Sequence, residues 1–277
     1  MDQQPKSVLS RNIGKPLLLF VVIVYLLICI TMAVAQRSLL YFPHVYTPEV
    51  VDKMAQKVGL ERWTNSSGEN IGFKRPSQKQ PVLGSVLITY GNGGTATGCS
   101  GYTYDIQNAA ALDVYILEYP GYEDRPGKPS EKSLFAAADE ALQMIPTNKP
   151  IYLVGQSLGS GVASYLAGTF TNRITGIVLI SPFNSVVSVG QHRYPFLPVY
   201  LLAMDRFPSE KYLRNYDGKV AITVDGQDTV VPEKFGLRLY NSYNGPKKLW
   251  EYPEGRHCQL ENPPVFWEEA VKFWQSN

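Results

Sequence analysis

The sequence predicts an α/β fold, with one mostly parallel sheet carrying helices on both faces. Apolar runs of strand length recur around 86–89, 114–117, 151–154 and 177–180, and strands apolar along their whole length are those covered on both faces. Helix-like stretches lie between such runs, which calls for right-handed crossovers and parallel pairing. At 277 residues and 44% hydrophobic, the chain can bury one large core.

The N-terminus comes first. Residues 1–16 carry Lys6, Arg11 and Lys15, and residues 17–35 then run LLLFVVIVYLLICITMAVA without a charge. At 1.5 Å per residue that run spans roughly 28 Å, close to a hydrocarbon core. Basic residues precede the run and only Arg37 follows it closely. This is the pattern of a cytoplasmic amino end and a single-pass anchor, with residues 50–277 on the non-cytoplasmic side. A second reading is open. Ala33-Val34-Ala35 before Gln36 fits a signal cleavage site, which would leave a secreted or periplasmic domain.

Residues 36–49, aromatic and proline-rich, read as a connector, and Val50 to Leu60 as a short helix. Glu61 to Lys74, broken by Asn65-Ser66-Ser67-Gly68, reads as a two-stranded antiparallel hairpin. Asn65 also heads a glycosylation sequon, relevant in a eukaryote. Strand-like VLGSVLITY, LDVYILEYP, IYLVGQ, TGIVLIS, KVAITVD and KKLWEYP follow in turn, with helices expected behind Ser130 and Pro232. The segment from about 183 to 215 is too long for a simple crossover. Its internal prolines and aromatic and aliphatic residues predict a small lid.

Charge sets limits on partners. Charged residues make up 18% of the chain and the formal net charge is +2, so there is no basic footprint for nucleic acid. The three cysteines, Cys29, Cys99 and Cys258, have no metal-ligand spacing. The predicted fold brings Cys99 near Cys258, and an oxidising compartment would permit a bond between them. Oligomeric state is not legible.

The chemistry centres on Gly155-Gln156-Ser157-Leu158-Gly159, which joins an apolar strand to an Ala/Leu-rich helix. A serine on such a turn is lifted above the sheet, where a base can take its proton. The plainer role for Ser157 is to cap the helix. Of His44, His192 and His257, only His257 follows the last strand, where the base belongs in the chain order serine, acid, histidine. KVAITVDGQDTVVPE offers Asp225 and Asp228 as the orienting acid, with Asp228 preferred and turn formation the plainer role for Asp225. The oxyanion donors are expected to be the amides of Leu158 and, from the YGNGGTATGC loop, Asn92, with Gly93 beside it. No Lys-Ser/Thr follows those glycines, which removes a P-loop.

These residues resemble the α/β-hydrolase superfamily. In particular they resemble its small membrane-anchored branch, related to protein depalmitoylases. The resemblance runs in order from about Tyr41: YFP at 41–43, GNGG at 91–94, YPGY at 119–122, GKPSE at 127–131, GQSLG at 155–159, SPF at 181–183, DTVVP at 228–232 and RH at 256–257. Three departures stand out. Tyr90 occupies the place of the family's usual histidine, and Glu123-Asp124 replace glycine and serine. Val224-Asp225 replace histidine-glycine, which keeps Asp225 open. Glu123 and Asp124 are expected at the site mouth, where they would disfavour anionic substrates.

The resemblance implies a serine hydrolase with Ser157, His257 and Asp228 as its triad, needing no metal or organic cofactor. With the membrane location, it suggests an ester or thioester substrate with a lipid-like acyl chain. A serine peptidase or amidase of the same fold, and a binding module without turnover, are the alternatives.

Overall fold

The computed structural model describes residues 14–276. The expected N-terminal tail, with Lys6 and Arg11, falls almost wholly outside them; Gly14, Lys15 and Pro16 already belong to the first helix.

Among the described residues, eight strands form one sheet in the order β1-β2-β4-β3-β5-β6-β7-β8. They are β1 (Glu61–Thr64), β2 (Asn70–Arg75), β3 (Gly84–Thr89), β4 (Leu112–Leu117), β5 (Ile151–Gln156), β6 (Ile174–Ile180), β7 (Lys219–Asp225) and β8 (Lys247–Tyr252). The β1–β2 and β2–β4 pairs are antiparallel and all others parallel. Central β3 is buried along its whole length, and β5 everywhere but Gln156, which is why their sequences read as unbroken apolar runs.

The helices are α1 (Gly14–Leu40), α2 (Pro48–Lys57), α3 (Ser100–Ala109), α4 (Glu131–Met144), α5 (Leu158–Thr169), α6 (Val186–Arg193), α7 (Val199–Leu202), α8 (Ser209–Leu213), α9 (Glu233–Ser242) and α10 (Pro263–Gln275). Helix α4 starts where Ser130 caps it. The Ser130 side chain accepts from the Ser133 amide, and the Ser133 hydroxyl accepts from the Ser130 amide. Such a cap stabilises a helix by about 1 kcal/mol. Helices α3 and α10 pack together on one face of the sheet, while α4, α5 and α8 pack together on the other. On α10, Trp274 stacks on Tyr152 of β5 at 4.6 Å between ring centroids.

One boundary differs from expectation. Helix α1 continues to Leu40, so the first residues of the expected connector are helical. The reason is local: Gln36-Arg37-Ser38-Leu39-Leu40 contains no breaker, and the first proline after it is Pro43. Between β6 and β7 the expected lid is three short helices, α6, α7 and α8, with proline at the position before α7 and before α8.

The sheet puts all the chemistry at one edge. Strand order reverses at β3 and β5, since β4 follows β3 on one side and β5 to β8 run outward on the other. Loops leaving the carboxyl ends of β3 and β5 therefore face each other across a crevice, where open α/β sheets bind ligands.

Candidate active site

Ser157 occupies the turn between β5 and α5 with φ 49° and ψ −117°, a conformation that L-residues rarely adopt. Its amide donates to the Ile180 carbonyl at 2.9 Å. Gly159 makes the turn possible: a Cβ there would lie 2.1 Å from the Thr89 carbonyl oxygen of β3. At Gly155 it would meet the Ser160 Cα at 2.7 Å. The Ser157 side chain makes no capping bond to α5. Its Oγ lies instead 2.9 Å from His257 Nε2.

His257 Nδ1 lies 2.6 Å from Asp228 Oδ2. A carboxylate only accepts, so Nδ1 carries the proton and Nε2 is free to accept from Ser157. Asp228 Oδ1 is held by the Val230 and Val231 amides, both at 2.8 Å, which turns Oδ2 toward the imidazole. Burial depresses the His257 pKa, but Asp228 and Cys258 together outweigh it, through hydrogen bonding and charge, and the value is raised above that of free histidine.

Asp225 lies on the same side of the sheet but does not reach the imidazole. Its Oδ2 accepts from Ser181 Oγ at 2.5 Å and from the Cys258 amide at 3.2 Å, and the same amide donates to Ser181 Oγ at 2.8 Å. Burial and then the neighbouring Asp228 push the Asp225 carboxyl up, against the pull of the Ser181 bond. Asp225 and Ser181 thus pin the residue after His257. Of the two candidate acids, the structure brings only Asp228 onto His257.

The loop after β3 crosses directly over Ser157. A Cβ on Gly91 would stand 3.3 Å from Ser157 Cβ, and Asn92 and Leu158 line the same cavity as Ser157. The amides of Asn92 and Leu158 have no acceptor among the described residues, so both are available to a ligand oxygen. The Asn92 carbonyl accepts from the Phe42 amide at 3.1 Å and the Tyr122 hydroxyl at 2.7 Å. Its side chain donates to the Leu40 carbonyl at 2.9 Å.

Under this loop lies a cluster of tyrosines. Tyr90 packs against Tyr119 with centroids 4.3 Å apart and edge-on to Tyr122 at 5.9 Å; all three are fully buried. The Tyr119 hydroxyl donates to the Tyr90 carbonyl at 2.8 Å, and the Tyr90 hydroxyl donates to Glu118. Tyr90 therefore does buttress the loop.

Glu123 and Asp124 depart from expectation, for neither stands at the site mouth. Glu123 is buried and accepts from the Thr97 hydroxyl. Asp124 pairs with Arg62 at 2.7 Å and accepts from Asn70 at 2.9 Å. A buried carboxylate needs partners, and here Thr97 after β3, Arg62 of β1 and Asn70 of β2 supply them. Cys99 and Cys258 line one cleft, as their neighbourhood in the fold requires, but all three thiols are free. His192 lies on α6 beside Lys234, 3.1 Å away, and the His44 carbonyl accepts from the Glu123 amide at 2.7 Å; neither approaches Ser157.

Sequence reasoning missed Tyr122, Glu118 and Ser181. Tyr122 and Ser181 lie in YPGY and SPF, stretches already singled out. The signal available was that a polar residue beside a β-strand end, in an apolar setting, has to find a buried partner.

Comparison with known proteins bears on this geometry. Residues 84–214 match the family model described as alpha/beta hydrolase fold. The chain is 30% identical over 234 residues to Uncharacterized protein Rv2307c of Mycobacterium tuberculosis, covering 82% of each chain. It is 29% identical over 184 residues to Lysophosphatidylserine lipase ABHD12 of Danio rerio, covering 59% of this chain and 48% of that one. Among solved structures, Est1E from Butyrivibrio proteoclasticus, seen with ferulic acid, superposes with a TM-score of 0.61 at 15% identity. That match covers 77% of this chain and 97% of Est1E, a likeness of fold.

Proposed function

Since the chain belongs to the α/β-hydrolase superfamily, we propose that it is a membrane-anchored serine hydrolase that cleaves a carboxylic ester or thioester. The observation that carries this reading is the unbroken series Ser157 Oγ, His257, Asp228, with hydrogen bonds of 2.9 and 2.6 Å. Ser157 Oγ attacks the acyl carbonyl while His257 Nε2 takes its proton. The amides of Leu158 and Asn92 hold the oxygen that becomes negative. The imidazolium, stabilised by Asp228, protonates the leaving oxygen or sulfur, and the bond to it breaks. Water, deprotonated by His257, then attacks the acyl-enzyme and releases the acid and free Ser157.

A lipid-like acyl group is supported by two observations. Helix α1 has mean hydropathy 3.1 over its most apolar window, enough in length and composition to cross a bilayer. The zebrafish relative is named as a lipase of lysophosphatidylserine. The excess of basic residues before the apolar run supports a non-cytoplasmic position for residues 50–277.

A panel of p-nitrophenyl esters, thioesters and peptide p-nitroanilides tests the reaction class. A pre-steady-state burst of p-nitrophenol, matching the enzyme in amount, is expected from the esters. Turnover confined to the anilides would move the reading to an amidase.

A further inference from the structure

Helix α1 is more than a tether, because one of its faces is packed. Cys29 is buried, and Met32, Ala33, Gln36 and Leu40 are partly buried. Their spacing of three, four and seven residues marks a single helix face. From Cys29 to Leu40 that face runs about 16 Å, and what covers it is the lid. Arg37 Nε lies 2.9 Å from Asp205 Oδ2, and the Tyr41 hydroxyl donates to the same carboxylate at 3.1 Å. Gln36 Nε2 donates to the Leu202 carbonyl at 3.1 Å and Gln36 Oε1 accepts from the Met204 amide at 2.7 Å. Farther along, the Tyr25 hydroxyl donates to the Phe196 carbonyl at 3.0 Å.

Tyr25 lies near the middle of the apolar run 17–35, so the lid stands beside the half of the anchor nearer the domain. A structure at that depth faces acyl chains, where no water is present to satisfy an unpaired backbone group. Two polar side chains of the anchor, Tyr25 and Gln36, meet lid backbone groups there. Phe196 and Leu201 on the lid are 86% and 83% exposed. Their occupant is the same one that surrounds α1, the hydrocarbon of the leaflet.

Between anchor and lid lies a cavity of about 280 Å³. Met32, Gln36 and Leu39 of α1 form one wall, and Val189 and Leu197 of the lid form another. Ser157, Leu158 and Asn92 close its inner end. We propose that this cavity is the acyl pocket, that the anchor helix is part of the substrate-binding site, and that the acyl chain of a membrane-resident ester enters it sideways from the leaflet. The pocket joins the bilayer to the serine, so the reacting carbonyl reaches Ser157 with its chain still in an apolar setting. The leaving group then faces the aqueous side, where Asp228 and His257 border a separate cleft with Gln227 and Arg256. This rests on the hydrolase reading above.

The test uses the full chain in phosphatidylcholine vesicles with two esters, p-nitrophenyl acetate and p-nitrophenyl laurate, and the variants Met32→Trp and Val189→Trp, which fill the cavity from opposite walls. Fluorophosphonate labelling of Ser157 reports an intact triad in each variant, and acetate kcat/KM is the reference against which laurate is read. A laurate kcat/KM lowered tenfold or more relative to acetate in both variants is the expected result. Laurate and acetate rates changing by the same factor, or laurate unchanged in a variant with an intact triad, would overturn the proposal. An unsubstituted chain that takes no fluorophosphonate overturns the hydrolase reading itself, and the acyl pocket with it. Immersion of the lid is read separately from Phe196→Trp in vesicles with brominated acyl chains. Its added fluorescence should be quenched at least twofold, and unquenched emission would contradict a lid in the leaflet.

Discussion

The hydroxyl of Tyr122 donates to the backbone carbonyl of Asn92 at 2.7 Å. That bond fixes the Asn92–Gly93 peptide beside the cavity that Asn92 and Ser157 both line, and it comes from a fully buried ring with no freedom to follow if the loop moves. Tyr122→Phe removes the hydroxyl and keeps the ring. We expect kcat on a short ester to fall about tenfold with KM little changed, because a misplaced oxyanion donor acts on the transition state alone. Stability should drop by about 1 kcal/mol, the worth of one neutral hydrogen bond. Steady-state kinetics and urea unfolding check both.

The two aspartates separate cleanly. Asp228→Asn should lower kcat by roughly 10³–10⁴, the loss that follows when the imidazole is held in the wrong tautomer. Asp225→Asn touches only the loop bonds through Ser181 and Cys258, and should cost no more than about tenfold. Equal losses would remove the distinction drawn between them.

The pH profile carries a sign. Activity needs neutral His257, and against burial, which lowers it, Asp228 and Cys258 together raise its pKa above the free value. The ascending limb of kcat/KM should therefore lie above about pH 6.5, the ordinary histidine value, and move to lower pH in Asp228→Asn. A limb at or below pH 6 in the unsubstituted enzyme would contradict the geometry.

Glu118 is wholly buried, accepting from the Tyr90 hydroxyl, the Tyr119 amide at 3.0 Å and the Ala96 amide at 3.1 Å. Burial first, and Glu123 next, raise its pKa well above the usual glutamate value. A raised carboxyl favours the folded state below the unfolded pKa and loses that contribution as pH rises toward the folded one. Glu118→Gln, which mimics the protonated acid, should thus gain stability relative to the unsubstituted chain between pH 5 and pH 8. Melting temperatures at the two pH values decide it.

Gly159→Ala places a methyl 2.1 Å from the Thr89 carbonyl oxygen, a clash that only a shift of α5 or β3 relieves. The cost should reach or exceed the upper end of the about 1–3 kcal/mol typical of overpacking. At Gly101 of α3 a methyl meets nothing within 4 Å, and Gly101→Ala should stabilise by about 0.5–1 kcal/mol. Unfolding of the two variants side by side tests whether the elbow is as tight as it is drawn.

Much of this was legible in the sequence because local patterns carry it. The buried strands announce themselves as apolar runs, and Ser157 and His257 follow from the order of elements. Asp228 could be preferred over Asp225 but not separated from it, since three residues of spacing do not say which carboxylate the histidine loop approaches. Glu123 and Asp124 were misplaced for a related reason. Their partners Thr97, Arg62 and Asn70 lie 26 to 62 positions away, and burial of a charge is decided by such distant contacts. The packing of α1 on the lid was hidden altogether, because an apolar run looks the same whether lipid or protein covers it.

The most direct measurement is active-site labelling of the full chain with a fluorophosphonate, mapped by mass spectrometry, alongside Ser157→Ala and His257→Ala. A triad assembled as described gives one adduct per chain, on Ser157, and none in either variant. A folded chain that stays unlabelled, or labels at another residue, would contradict the assignment of Ser157 as nucleophile.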